Sequence, residues 1–437
     1  MKRIIISAFA ITLLNAACTS EKETPKVVTI SGEELFSKVK KFVSLGEHRT
    51  GTPVDSATSA WLKSELDSIG AKTEFVEFSL TQFFFESGKL KIEEKNLELF
   101  PVWPVKEGLN LSVTSKVLDG DKLSKIKDAK GKLIFTRLKD AHGSSNPKIT
   151  EQINAFIKEG AKGVIAVTEN NTGEIVALNT YENLAPWNAP VYLLAPKDTS
   201  VVLEAISKKT EVASEVTGNL KEVKARNILA KIGTGKQYVV VSTPISGWYT
   251  TGGERGPGIA VWLGLAKWAS QNASKFPDYT FVFTGHSGHE LDILGARAFV
   301  AKAAPKPDET KLWIHLGAAV AVREWAEENG KWILTDSVDS KRGVYYSESV
   351  ATAFEKSFEK IKAKKSKGTE LNKDTVKAGG EGSLFQKQGY KNLVSIAYAH
   401  RYHHVKTDNQ EATSPTILLE LEQALEDFIT KQITPAQ

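Results

Sequence analysis

The chain has 437 residues and a formal net charge of +5, from 57 basic and 52 acidic residues. Its apolar and charged fractions, 41% and 25%, are ordinary for a soluble globular protein, and its length predicts one large or two medium domains. Because the basic residues are scattered among acidic ones, the composition excludes a surface built for nucleic acid.

The N-terminus predicts a secretory signal rather than a membrane span. The apolar run from Ile4 to Leu14 is shorter than the roughly 20 residues that cross a bilayer. Small residues precede Cys18, the one cysteine of the chain, as in a bacterial lipobox, although Asn15 stands where leucine is usual. We expect a signal peptide at 1–17 and a polar tether at 18–30, anchored to the cell envelope through a lipidated Cys18 facing the periplasm or the exterior. A plain secretory signal with an incidental cysteine is the alternative, and disulfides play no part in the fold.

The first half of the chain predicts two helices and then a strand-rich region. Apolar spacing indicates helices from Ser31 to about Gly46 and from about Ser56 to Ile69, and KTEFVEFSL at 72–80 alternates as a strand does. Short apolar runs with one helix among them follow between residues 97 and 216. The predicted strands are 110–118, 132–138, 163–169 and 189–195, and the helix is 149–161.

The second half alternates strands and helices, which predicts an α/β sheet covered on both faces. The predicted strands are two from 225 to 248, then 279–285, 311–322 and 392–399; the helices are 258–271, 294–303, 349–364 and 414–432. Ser414 is a predicted N-cap for the last helix, with Pro415 in its first turn. Functional loops are expected at the carboxyl ends of such strands.

Two of these loops are rich in polar residues. TGHSGHELDILGARAF at 284–299 follows a strand and sets histidines, a glutamate and an aspartate around glycines. SGWYTTGGERGPG at 246–258 places Glu254 and Arg255 among glycines that let a ligand approach the backbone. Arg255 could clamp a substrate carboxylate, and Trp248 could stack on a ring. The alternative is a glycine-rich turn with an internal ion pair.

These segments together resemble the M28 zinc aminopeptidases. The resemblance covers about residues 31–432 and includes GEHRTGTPVDSATSAWLKSELDSIGAKTE, RNILAKIGTGKQYVVVSTP, FVFTGHSGHELDILGARAFV and YHHVKTDN. GKLIFTRL and AFIKEGAKGVIAV in addition resemble a protease-associated (PA) domain. The resemblance implies an α/β fold with a mixed, mostly parallel sheet and helices on both faces. It divides the chain into a peptidase-like domain at 31–96 and 217–437 and a β-rich PA insert at 97–216.

The resemblance also implies site residues, several of them altered. The family binds two zinc ions through a His, a bridging Asp, a Glu, a second Asp and a final His. The first His falls on Pro244 and the second Asp on Gly317, neither of which has a side chain that binds a cation. A companion Asp of the first His falls on Ser246, and the general-base Glu falls on His289. The bridging Asp, the ligand Glu and the final His fall on Glu254, Glu290 and His404.

A single zinc ion could still bind to Glu254, Glu290 and His404, which is the three-ligand pattern of catalytic zinc. The single-zinc glutaminyl cyclases, which resemble this family in fold, keep the corresponding three positions. His289 could serve as a base near neutral pH. Alternatively, Glu254 pairs with Arg255 or a lysine and binds no metal.

Histidines concentrate in the segments that the resemblance places around one cleft. Of the eight in the chain, His48 and His142 lie elsewhere. Glu381, in GEGSLF, stands where the family often has Ser-Asp-His and is either a site carboxylate or a loop charge. The six histidines of the cleft are His286, His289, His315, His400, His403 and His404.

Two functions remain open. The first is a hydrolase, cyclase or lyase with at most one metal, acting on a small polar or peptide-like substrate. The second is a catalytically retired relative that binds peptide or glycan. The concentration of polar and titratable residues in the cleft favours an enzyme, with His289 and Arg255 as catalytic residues. The predicted substrate-binding residues are Ser246, Trp248, His286, His315, Glu381 and His403.

Overall fold

The described part of the chain leaves out the predicted leader. The computed structural model describes residues 30–139, 147–180, 187–359, 367–370 and 378–434. The predicted signal peptide, Cys18, His142 and all but the last residue of the predicted tether lie outside these ranges. Within them, no helix is long and apolar enough to cross a bilayer.

Strands and helices alternate along most of the described chain. The strands are β1 (Lys72–Ile92), β2 (Lys95–Pro101), β3 (Ser112–Asp119), β4 (Leu133–Leu138), β5 (Gly163–Thr168), β6 (Val191–Leu194), β7 (Glu211–Gly233), β8 (Gln237–Pro244), β9 (Tyr279–His286), β10 (Thr310–Leu316), β11 (Arg323–Glu328), β12 (Lys331–Val338), β13 (Gly343–Tyr346), β14 (Lys367–Glu370) and β15 (Leu393–Ile396). The helices are α1 (Gly32–Ser44), α2 (Pro53–Ser68), α3 (Pro147–Lys158), α4 (Thr199–Lys208), α5 (Gly256–Asn272), α6 (Leu294–Lys302), α7 (Glu348–Phe358), α8 (Gly382–Lys387) and α9 (Pro415–Ile433).

The main sheet is mixed and has parallel strands at its centre. Its strand order is β1-β7-β9-β8-β10-β15-β13-β14. The central strands β9, β8, β10 and β15 pair in parallel and are buried along almost their whole length. Burial on both faces explains why these strands are near-continuous apolar runs in the sequence. Their carboxyl ends lie at one edge of the sheet, where loops carry function in such folds.

Helices cover both faces of this sheet. On one face, α1, α5, α7 and α9 pack with inward residues of β8, β9 and β10, such as Val239, Phe281 and Ile314. On the other face, α6 and α8 pack around Phe299, Trp313 and Phe385. The predicted α/β class, with a mixed sheet and helices on both faces, is therefore confirmed.

The strands between residues 72 and 233 form a second, closed system. Their pairing runs β1-β2-β6-β5-β4-β3-β7, and β7 returns to β1. The β1–β7 ladder extends from Lys72 opposite Lys231 to Lys91 opposite Ala213, so these two strands belong to both sheets. The predicted domain boundaries, after residue 96 and after residue 216, fall inside β2 and β7. The assignment of this region to the PA class stays a prediction.

Several helices and strands begin or end at residues other than the predicted ones, because side-chain caps and strand pairing set their bounds. Helix α2 begins at Pro53 because the Thr52 hydroxyl accepts the Asp55 amide hydrogen bond and caps the helix, earlier than the predicted start at Ser56. The strand predicted for 72–80 continues to Ile92 because β7 pairs with its whole length. Ser414 lies at the N-cap position of α9, but its side chain makes no capping hydrogen bond. Helix α4 and the β11–β12 hairpin were not predicted.

Candidate active site and metal centre

The candidate site lies where three loops meet at the carboxyl edge of the central strands. Asp408 fixes two of these loops, because its carboxylate accepts the backbone N–H groups of Gly253 and Glu254 at 2.9 Å each. A Cβ atom on Gly253 would lie 2.8 Å from both Asp408 Oδ1 and His400 Cε1, so this close approach requires glycine. Glu254 thereby lies immediately before α5, against the loop that carries His404.

A buried arginine joins two of the predicted metal ligands. Arg255 Nη2 lies 2.7 Å from Glu254 Oε1 and also contacts Glu290 Oε1. Arg255 Nε donates to the carbonyl oxygen of Ser246 at 3.0 Å. The Arg255 and Glu254 side chains are 0% exposed. The prediction that Arg255 clamps a substrate carboxylate is therefore corrected: its partners are carboxylates of the protein itself, which is the internal ion pair of the alternative interpretation.

His404 completes this charged cluster. Its Nε2 lies 3.2 Å from both Glu254 Oε1 and Glu290 Oε2, and its Nδ1 donates to the carbonyl oxygen of Ala177 at 2.9 Å. Burial alone would lower the pKa of His404, but the two carboxylates outweigh this effect and raise the pKa to about 10. His404 also has a φ of 59°, a left-handed conformation that is uncommon for a residue with a side chain.

The region predicted as the insert contributes to the site. Asn179 Nδ2 donates to Glu290 Oε2, and Asn179 Oδ1 accepts from Trp248 Nε1 at 2.6 Å. The Trp248 side chain is buried and packs edge-on against Phe100 at 5.8 Å. This placement corrects the prediction that Trp248 stacks on a substrate ring. Asn179 was not predicted, because nothing in its local sequence indicates that it reaches a loop more than 100 residues away.

The residues that best fit a metal ion are Glu254, His403 and His404, whose ligand atoms all lie within 4.8 Å of one another. Glu254 Oε2 and His403 Nδ1 have no hydrogen-bond partner in the described part of the chain, whereas Glu254 Oε1 contacts Arg255 and His404. Burial holds the pKa of His403 well below its usual range, which keeps the ring neutral as a ligand must be. Both Glu290 oxygens have partners, Oε1 in Arg255 and Oε2 in Asn179 and His404. The group with His403 shares Glu254 and His404 with the predicted ligands, and the choice between Glu290 and His403 stays a prediction.

Two positions that the resemblance aligns with metal ligands carry no ligand side chain in this structure. The family's second Asp falls on Gly317, where a Cβ atom would lie 2.9 Å from the carbonyl oxygen of Ile396 and 3.0 Å from Ala397 Cβ. Any side chain at Gly317 would require the neighbouring loop to move. Pro244 offers no ligand either, so a site with at most one metal stays the prediction.

Glu381 organises the remaining histidines of the cleft into a second buried cluster. Its Oε2 lies 2.8 Å from His286 Nδ1, and its Oε1 lies 3.0 Å from His289 Nδ1. His315 Nδ1 lies 4.0 Å from Glu381 Oε2 and 3.0 Å from Ser242 Oγ. Burial disfavours the charged carboxylate, but His286 and His289 outweigh this and hold the pKa of Glu381 well below its usual range. Glu381 is thus a site carboxylate rather than a loop charge.

Within this second cluster, His289 has the most accessible side chain, 14% exposed, whereas His286 and His315 are buried. Burial lowers the pKa of His315 to about 3, so that ring is neutral. The His289 backbone N–H donates to Ser246 Oγ at 3.3 Å, which places Ser246 beside His289. An imidazole whose Nδ1 faces a carboxylate keeps Nε2 available to accept a proton.

The six histidines predicted for the cleft thus separate into two groups. His286, His289 and His315 surround Glu381, whereas His403 and His404 adjoin Glu254. His400 Nε2 lies 3.5 Å from Asp408 Oδ2 and belongs to the second of these groups. His48 is buried elsewhere, between Thr58 and the carbonyl oxygen of Phe42.

Comparison of the fold with solved structures identifies its class. A zinc aminopeptidase from Bacillus subtilis superposes with a TM-score of 0.72 at 15% sequence identity, covering 94% of this chain and 97% of that one. A peptidase M28 precursor from Shewanella amazonensis SB2B gives a TM-score of 0.68 at 14% identity, covering 93% and 97%. An aminopeptidase from Aneurinibacillus sp. strain AM-1 gives 0.64 at 14% identity, covering 93% and 96%.

The chain therefore has the fold of the M28-type zinc aminopeptidases, as the resemblance predicted. The sequence matches no protein-family profile, and no curated protein is similar to it in sequence. At this level of identity the superposition defines the fold, and the chemistry has to be argued from the site itself.

Proposed function

We propose that the protein is a hydrolase with the M28 fold that holds one zinc ion and cleaves an amide or peptide bond in a small substrate. The observation that carries this proposal is the 3.0 Å contact between His289 Nδ1 and Glu381 Oε1. This contact orients His289 to act as a base, at the position where the resembled family has its general-base glutamate. The aminopeptidases of similar fold support a peptide-like substrate.

His289 acts as the general base in this proposal. With its Nδ1–H donating to Glu381, its Nε2 accepts a proton from the attacking water. Glu381 then faces the imidazolium that forms and stabilises its positive charge, as the carboxylate of a catalytic triad does. Since Glu381 is buried and its pKa is held well below the usual range, it stays ionised throughout this step.

Glu254, His403 and His404 would hold the metal ion. A zinc ion held there would polarise a substrate carbonyl and lower the pKa of bound water. His404 would bind the ion through Nε2 as a neutral imidazole, because a histidine ligand is deprotonated. Arg255 neutralises the charge of Glu290, and its contact with Glu254 holds that ligand carboxylate in place.

We place the enzyme in the cell envelope, tethered by a lipidated Cys18, on the sequence pattern of the leader. A Cys18→Ser variant should then move from the membrane fraction to the soluble extracytoplasmic fraction. A variant that remains with the membrane contradicts the lipid anchor.

The test of the base is a His289→Ala variant of the mature chain. We expect its kcat on aminoacyl and dipeptide amides to fall by about 10²- to 10⁴-fold, with zinc content and thermal unfolding unchanged. Asp292→Asn is the matched control: it lies on the same loop, its side chain is 28% exposed, and asparagine tolerates its φ of 55°. An unchanged rate in His289→Ala contradicts the assignment.

One observation favours the alternative function, a retired relative that binds peptide or glycan. Arg255 already neutralises two carboxylates that bind metal in the resembled family, and Gly317 leaves no room for a further ligand. A purified protein that contains no zinc and hydrolyses none of the amide substrates, but binds peptides in a titration, supports this alternative over the hydrolase.

A further inference from the structure

A cavity of about 290 Å³ lies beside the candidate metal centre, on the side of His403. The loop after β5 lines one wall, the β11–β12 hairpin lines another, and residues 398–403 line the base. At the tip of the hairpin, the side chains of Trp332 and Ile333 are 39% and 43% exposed. This volume is at the small end of ligand pockets, near 300 Å³, and suits a molecule about the size of a dipeptide.

Arg401 is the central cation of this cavity. Its guanidinium lies 4.2 Å from the ring centroid of Trp332, 5.6 Å from that of Trp325 and 5.8 Å from that of Tyr402. Nη2 donates to the carbonyl oxygen of Asn171 at 2.7 Å. The rings and this hydrogen bond fix the plane of the guanidinium before any ligand arrives, and an arginine fixed in this way is suited to bind planar anions.

Several donors in this cavity have no partner. Arg401 Nε and Nη1 are buried and make no hydrogen bond within the described residues, and the same holds for Trp325 Nε1. Buried N–H groups are nearly always hydrogen-bonded in proteins, so each unpaired group needs an explanation. A ligand with acceptor oxygens satisfies all three atoms.

The acidic residues of the cavity do not neutralise Arg401. Glu324 accepts from Ser340 Oγ at 2.8 Å, and Asp339 accepts the Lys341 backbone N–H at 2.9 Å. Within the described part of the chain, no carboxylate lies within ion-pair distance of the Arg401 guanidinium. Glu169, Lys341 and His400 also line the cavity, so its charges are mixed and the unpaired positive charge is local to Arg401.

We propose that this cavity binds the carboxylate of the substrate, with Arg401 as its partner and the indole rings of Trp325 and Trp332 against an adjoining apolar or aromatic group. The inference rests on the proposed function, since His403 belongs to both the cavity and the metal centre. The substrate class is thereby narrowed to short peptides or N-acyl amino acids with a free carboxylate close to the bond that is cleaved.

The test compares two probes that differ only in the charged group, N-acetylphenylalanine and N-acetylphenylalaninamide, by calorimetric titration of the mature protein. The wild type should bind the carboxylate at least about tenfold more tightly than the amide, because hydrogen bonds to a charged partner are strong. Arg401→Gln should abolish this preference, and Arg401→Lys should restore it in part. Lys406→Gln, which removes an exposed cation outside the cavity lining, is the control and should keep the preference.

Equal binding of the two probes by the wild type, failure of the carboxylate to bind, or an unchanged preference in Arg401→Gln overturns the proposal. Thermal unfolding of each variant verifies that it is folded. Titration in the presence of a chelator separates Arg401 from direct binding of the carboxylate to zinc. Because binding is measured without turnover, a wild type that hydrolyses none of the amide substrates contradicts the proposed hydrolase while leaving this assignment to stand on the titration.

Discussion

Arg255 is the residue on which the charged cluster depends. It is the guanidinium that separates Glu254 from Glu290, and all three side chains are buried. Removing one partner from a buried ion pair leaves an uncompensated charge and typically costs about 3–5 kcal/mol. We therefore expect Arg255→Met to lower the free energy of unfolding by about that amount.

Denaturant unfolding monitored by circular dichroism measures this loss. The control is Arg297→Met, which breaks an ion pair with Asp292 in which the arginine side chain is 51% exposed. Exposed pairs contribute about 0–1 kcal/mol, so the control should unfold near the wild-type midpoint. If Arg255→Met also unfolds there, the cluster is not held by this guanidinium.

The choice of metal ligands gives a second prediction for single residues. His403→Ala should lose bound zinc, because His403 supplies one of the three converging ligand atoms. Glu290→Gln should keep zinc, because Glu290 already contacts Arg255 and Asn179. Elemental mass spectrometry of the purified proteins measures the stoichiometry. The reverse pattern, with zinc kept in His403→Ala and lost in Glu290→Gln, would restore the ligand set implied by the sequence.

The sequence predicted which residues meet but not what each one contacts. Glu254, Glu290 and His404 were expected together because the resemblance to the M28 zinc aminopeptidases places metal ligands at these three positions. The ion pair of Arg255 and the burial of Trp248 depend on tertiary packing, which local spacing does not encode. Asn179 comes from a region with no motif of its own, so no pattern in the sequence indicated its contact with Glu290.

Among the elements, α9 carries two acidic residues one helical turn apart, the buried Glu422 and the partly buried Glu426. Glu422 is 1% exposed and packs against Gly264 of α5, where a Cβ atom would lie 3.1 Å from Glu422 Cγ. Burial, with Glu426 nearby, raises the pKa of Glu422 to about 10. A raised carboxyl pKa contributes stability below the unfolded pKa, near 4.5, which is lost as the pH rises towards 10.

We therefore expect Glu422→Gln to raise the free energy of unfolding at pH 7, by about 2 kcal/mol, and to flatten its decline between pH 5 and 9. Glutamine keeps the shape of the side chain but has no proton to lose. Urea titrations across this pH range test the prediction, with the exposed Glu328→Gln as control. If the free energy of unfolding of the wild type does not decline over this pH range, the pKa of Glu422 is not raised by folding and the prediction is wrong.

Prediction succeeded best for elements whose burial is uniform. The central strands are buried on both faces, and β9 at 279–286 matches its predicted bounds of 279–285 closely, whereas β10 begins close to its predicted start but ends at Leu316 instead of continuing to residue 322. It failed for β1 beyond Leu80, where alternation is interrupted by Phe83, Phe84 and Phe85, and where pairing with β7 and, from Lys89, with β2 maintains the extended form. A strand whose extended form depends on pairing with a neighbouring strand, rather than on its own alternation of apolar and polar residues, cannot be recognised from one sequence.

At the scale of the whole molecule, the insert and the peptidase-like part share structure as well as a site. Ala177 donates its N–H to the carbonyl oxygen of His404, and Val176 forms a β-bridge with Val405. Together with Asn179, these contacts bring the segment from 176 to 179 directly over the candidate metal centre. The region between residues 97 and 216 is therefore part of the catalytic apparatus that we propose, rather than an appended module.

The long strands predict how the molecule unfolds. Because β1 and β7 run without a break through both sheets, neither sheet can come apart without disrupting the other's edge. We expect one calorimetric transition, with the calorimetric and van't Hoff enthalpies equal. Phe135→Ala creates a cavity in the core of the insert and should lower the free energy of unfolding by about 3–5 kcal/mol. Because the whole molecule unfolds as one cooperative unit, this loss should lower the temperature of the single transition rather than split it. Two resolved transitions, of which only one moves in Phe135→Ala, would mean that the insert unfolds by itself and that the shared strands do not couple it to the site.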